Sequence, residues 1–116
     1  MPERDWRLRI HDITDAIDKI QRYTKNMSFG EFQADERTVD AVLRNLEVIG
    51  EAAGHVQPEV IDRSPQIPWD KMRALRNIVA HEYFGVKLPI VWETIERRLP
   101  PLRTELTRLL GDESEA

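Results

Sequence analysis

At 116 residues, with 33% charged and 41% hydrophobic residues, the chain suits one domain around one modest core, and it is too apolar for disorder and too polar for a membrane protein. It has no cysteine, which removes disulfides, thiol nucleophiles and thiolate zinc sites. The net charge of −4 argues against coating nucleic acid by bulk charge, yet residues 69–108 carry eight Lys or Arg against five acids, a local +3 set against −7 elsewhere. No apolar run reaches the roughly eighteen residues that span a bilayer, and residues 1–7 show no signal-peptide core. A single cytoplasmic domain over residues 1–116, without membrane attachment, is the expectation.

Apolar positions at Trp6, Ile10, Ile13, Ile17 and Ile20 follow a three-four spacing and predict a first helix over residues 5–25. The segment from Asn26 to Phe32 contains Asn, Ser and Gly and reads as an interruption, after which Asp35 is placed to cap a second helix. That helix runs through Val39, Val42, Leu43, Leu46, Ile49 and Ala53. It is apolar on more than one side, which makes it the central element. Gly50, Ala52, Ala53 and Gly54 are small, as they must be where another backbone comes close. Pro58, Pro65 and Pro68 mark a loop holding at most one short helical turn.

A third helix opens at Trp69-Asp70 and runs through Met72, Leu75, Ile78 and Val79 to about Glu82. Pro89 suits the first turn of a fourth, with Val91, Trp92, Ile95 and Leu99 on its inner face. Pro100 and Pro101 predict a kink or break before a last segment carrying Leu102, Leu106, Leu109 and Leu110. Residues 111–116 should fray. The sum is an all-α bundle of four to five helices.

The chain has three histidines. His11 and His55 read as surface or capping residues, and no His-x3-His or Glu-x-x-His pair is present, so neither a metal nor a cofactor is expected. His81 differs, because it ends the third helix in company with Arg76, Asn77 and Tyr83. An arginine can hold a phosphate in a bidentate fork, and a histidine can move a proton near neutral pH, so this set suits phosphate chemistry on RNA. A loose Arg-x4-6-His pattern also matches Arg4 and His11, so spacing alone does not single out the second pair.

The surroundings do. The stretch from Asp40 to Ala53, the Ile67-Pro68-Trp69 entry, and Leu75-Arg76-Asn77 followed by His81-x-Tyr83-Phe84-Gly85-Val86 together resemble the DUF86, or HepT-like, branch of the HEPN superfamily. Lys87 departs from that pattern, since many relatives carry an acid there. The resemblance implies a HEPN-like helical bundle and a metal-independent ribonuclease toxin with Arg76, His81 and Asn77 at its site. It also implies a partner, a minimal nucleotidyltransferase antitoxin of the MntA kind that adds AMP to the motif tyrosine, here Tyr83.

Helix geometry adds a constraint. Arg76 and His81 lie about 140° apart around a regular helix, whereas Asn77 and His81 share a face. A homodimer would bring the same helix from two copies to one cleft, with Gly50 and Gly54 in the two-fold interface. Glu51, one turn after Glu47, is a supporting candidate for orienting a cation. The competing reading is a catalytically silent helical module that acts by binding its nucleotidyltransferase partner.

Overall fold

The computed structural model describes the backbone of residues 5–81 and 87–115 and the side chains of residues 5–76 and 87–111. Among these residues every regular element is helical: α1 (Trp6–Thr24), α2 (Phe29–Ala34), α3 (Glu36–Gly54), α4 (Pro58–Arg63), α5 (Trp69–His81), α6 (Leu88–Glu93) and α7 (Leu99–Glu115). A π-turn over Thr94–Arg98 joins the last two into one long rod. The expected all-α bundle is therefore observed, with α2 and α4 as short additions to the long helices.

Helix starts follow from local hydrogen bonds. The Arg7 N–H donates to Asp5 Oδ1 at 2.8 Å, and the Thr38 N–H donates to Asp35 Oδ1 at 3.1 Å, so each aspartate satisfies a donor that the helix leaves unpaired. That bond holds the Asp35 carboxyl below the ordinary carboxylate range. Helix α2 was read from sequence as an interruption, and a capping box explains the difference. Ser28 N–H donates to Glu31 Oε1 at 2.9 Å, Glu31 N–H donates to Ser28 Oγ at 3.1 Å, and the turn closes despite Gly30. Asn26, at φ 64°, supplies the left-handed residue that turns the chain away from α1.

The stripes predicted from spacing form the core. Ile10, Ile13, Ile17 and Ile20 of α1 are fully buried against Val42, Leu46, Ile49 and Ala53 of α3. Helix α3 packs on α1 along one side and on α5 along the other, which makes it the central element. Val91, Ile95, Leu99, Leu102, Leu106 and Leu109 supply the buried side of the long rod, and α7 lies against α1. Phe32 and Phe29 stack on Trp92, with centroids 5.1 and 6.2 Å away, and seat α2 on α6.

The disruption expected at Pro100-Pro101 takes the form of the π-turn. Leu99 N–H donates to Thr94 O, five residues back, just before two residues that have no N–H to give. The register slips and the rod continues. It is helical through Glu115, across most of the segment expected to fray. No helix among the described residues is long and apolar enough to cross a membrane.

Candidate functional site

The start of α5 is fixed by the proline-rich loop that precedes it. Ser64 is fully buried, its hydroxyl donates to Val60 O at 2.6 Å, and its carbonyl accepts the Trp69 indole N–H at 3.0 Å. Trp69 is thereby locked into the core with Met72, and the next turns of α5 run along α3.

The two backbones come close at Gly50. A Cβ built there would lie 2.5 Å from Arg76 N and 2.9 Å from Arg76 Cβ, closer than real atoms approach, so glycine is required. A Cβ at Gly54 would meet nothing within 4 Å. The small-residue signal is thus met at Gly50 by a contact inside one chain.

This crossing sets the position of Arg76. Its side chain leaves α5 beside the residue that follows Gly50, and its Nε lies 3.2 Å from Glu51 Oε2, an ion pair between adjacent helices. Glu51 Oε1 lies 3.6 Å from His55 Nε2, one turn further along α3. The result is a row of cation, carboxylate and imidazole. Arg76 remains 58% exposed and Glu51 49%, so solvent and any ligand reach the guanidinium directly.

Glu51 therefore stands against a cation, and against the particular arginine singled out in the sequence. His55 caps α3, its backbone N–H bonding to Ala52 O and Ala53 O, while its ring extends the row. Sequence reading assigned His55 no part in the site. The signal that points to it is its i, i+4 spacing from Glu51. The side chains of Asn77 and His81, and all of Tyr83, lie outside the described residues.

A cleft of about 380 Å³ opens on the other side of Glu51, between α1 and α3. Arg9 and Asp12 of α1 face Arg44, Glu47 and Glu51 of α3 across it, above an aliphatic floor of Val48 and Ala52. Arg9 Nε is buried there without a hydrogen-bond partner. This cleft was not foreseen, although Arg44, Glu47 and Glu51 at i, i+3 and i+7 are spaced to share one face of α3.

With this geometry in place, comparison with known proteins decides the family. The ribonuclease HepT-like family profile matches residues 13–109. The chain belongs to that family. Two Methanocaldococcus jannaschii proteins provisionally named RNase MJ0127 and RNase MJ1216 are 37% and 36% identical over 112 residues, in each case 97% of this chain and 93% of the relative. A Thermococcus cleftensis protein provisionally named ribonuclease HepT is 35% identical over 100 residues, 86% of this chain and 91% of the relative. No solved structure matches the chain significantly. The match spans α3 and α5 whole and reaches into α1 and α7, and it includes the stretch of α5 that carries Arg76 and its neighbours.

Proposed function

We propose that this HepT-like chain is a metal-independent endoribonuclease and the toxin of a pair whose antitoxin is a minimal nucleotidyltransferase. The observation that carries the reading is the Arg76–Glu51 ion pair. In a chain of a ribonuclease family, the arginine of the Arg-x4-His sequence is held by a carboxylate on a neighbouring helix with its guanidinium open to solvent. A carboxylate partner in this arrangement fixes an arginine for anion recognition without consuming all five of its N–H donors.

In the proposed reaction His81 takes the proton of a ribose 2′-hydroxyl, O2′ attacks the adjacent phosphorus, and the 5′-oxygen leaves and gains a proton. Arg76 stabilises the charge that accumulates on the phosphoryl oxygens, and Asn77 holds the phosphate or orients His81. Glu51 acts through Arg76 by holding its guanidinium. Products are a 2′,3′-cyclic phosphate and a 5′-hydroxyl. The 140° between Arg76 and His81 favours a composite site in which two copies of α5 face one cleft of a homodimer.

Control follows from the same charges. AMP on Tyr83, two residues after His81, would set a phosphate beside the cationic groups that must bind RNA, and it would repel the incoming backbone. The test is RNA incubated with the purified chain in EDTA. Cleavage is expected to persist with chelator and to vanish in His81→Ala. Loss of cleavage on chelation, or full activity in His81→Ala, refutes the mechanism.

A further inference from the structure

We propose that the charged cleft between α1 and α3 is a guanine pocket that reads a base of the RNA strand next to the scissile phosphate. The inference rests on the ribonuclease reading for its place in the reaction, and on the cleft itself for its chemistry. Glu51 belongs to both sites, since it lines the cleft and also pairs with Arg76. A single side chain therefore separates the cleft from the cation assigned to the phosphate.

The lining selects the class of ligand. Three carboxylates against two guanidiniums repel a phosphate, so the occupant is neutral and presents donors and acceptors together. The volume of about 380 Å³ is that of a small-ligand site. Arg9 lines the cleft while its Nε is sealed from solvent, so the terminal nitrogens of its guanidinium are the donors it can offer a ligand there.

Guanine fits this set. Its O6 and N7 accept a forked arginine, and its N1–H and N2 amino group form a donor pair matched to one carboxylate. Adenine, cytosine and uracil all lack that donor pair, since none joins a ring N–H to an adjacent amino group. Arg9 is assigned to O6 and N7, and Glu47 to the donor edge. Glu47 has only a loose contact with Arg44, 3.6 Å between charged atoms, and keeps oxygens free to accept. Val48 and Ala52 offer the aliphatic floor against which the ring lies.

The experiment titrates the full chain with guanosine, inosine, adenosine, cytidine and uridine 5′-monophosphates by calorimetry. Guanosine monophosphate should bind at least tenfold more tightly than the other four. Inosine lacks only the N2 amino group, so it tests the carboxylate contact without altering the protein. Glu47→Gln and Arg9→Lys should each abolish the preference while leaving the melting temperature unchanged.

Equal affinity for all five nucleotides, or a preference that survives both substitutions, overturns the pocket. RNA cleavage is measured beside it. A chain that leaves RNA uncut yet prefers guanosine monophosphate loses the ribonuclease reading and keeps the pocket. One that cuts RNA without preferring guanosine monophosphate keeps the ribonuclease reading and loses the pocket.

Discussion

Two arginines reach across to carboxylates on other helices, and they do so differently. Arg103 of α7 grips Asp18 of α1 with two donors, Nε to Oδ1 at 2.5 Å and a terminal nitrogen to Oδ2 at 3.1 Å, tying residues 85 apart in sequence. Arg76 meets Glu51 through Nε at 3.2 Å, and Glu51 divides its oxygens between Arg76 and His55. The first arrangement is a two-point grip and works as a clasp. The second fixes a guanidinium at one edge and leaves it open, which suits a group that must receive an anion. Exposure does not distinguish them strongly, at 41% for Arg103 and 58% for Arg76. Hydrogen-bond geometry does.

The largest effect on stability should come from the crossing beneath Arg76. By helix propensity alone Gly50→Ala would stabilise α3 by about 1 kcal/mol. The added Cβ would instead collide with the Arg76 backbone, and we expect a net loss of about 2–3 kcal/mol in chemical denaturation. Gly54→Ala is the control, because its Cβ has open space; it should gain up to about 1 kcal/mol. A Gly50→Ala protein as stable as the parent would show that the two helices do not meet as described.

Next is Glu51 itself. Glu51→Gln keeps the shape and removes the charge that holds Arg76, so RNA cleavage should fall about tenfold, roughly 1.4 kcal/mol in transition-state terms, with the melting temperature unchanged. Glu51→Asp, still charged, should recover part of that loss. An unchanged rate in Glu51→Gln would make the pair a surface ornament.

The smallest effect belongs to the clasp. The hydrogen bond from Arg103 holds the Asp18 carboxyl below the ordinary carboxylate range. A depressed carboxylate contributes stability that is present above its unfolded pKa of about 3.9 and is lost as pH falls through the folded value. Asp18→Asn should therefore cost about 1 kcal/mol or less near pH 7, leave RNA cleavage intact, and melt like the parent once the pH is below the folded pKa. A loss that persists undiminished in acid would assign the effect to packing.

The same contrast shows what was legible in the sequence. The stripes at Ile10, Ile13, Ile17 and Ile20 and at Val42, Leu46 and Ile49 announced α1, α3 and their shared core, because helical periodicity is written in consecutive residues. Gly50 signalled a close approach, but its partner, Arg76, is 26 positions away, and spacing along a chain says nothing of which helix crosses there. The pairing with Glu51 was hidden for the same reason, although both residues had been singled out. Helix α2 was missed because two reciprocal hydrogen bonds between Ser28 and Glu31 outweigh the poor propensities around them. Pro100 and Pro101 announced a disruption without its form, since a slip to π geometry depends on which carbonyls the prolines leave unpaired. The charged cleft was unread because Arg9 and Glu47 converge only once α1 lies on α3.

The measurement that tests the central claim most directly is product-end chemistry on an RNA carrying one 2′-deoxyribose on the 5′ side of a mapped cut, in EDTA, with the parent chain and Arg76→Ala side by side. The account predicts 2′,3′-cyclic phosphate ends from the parent on all-ribose RNA, no cut at the 2′-deoxy position, and a loss of about a thousandfold in rate for Arg76→Ala. Cleavage at the 2′-deoxy position, or an Arg76→Ala rate equal to that of the parent, would contradict it.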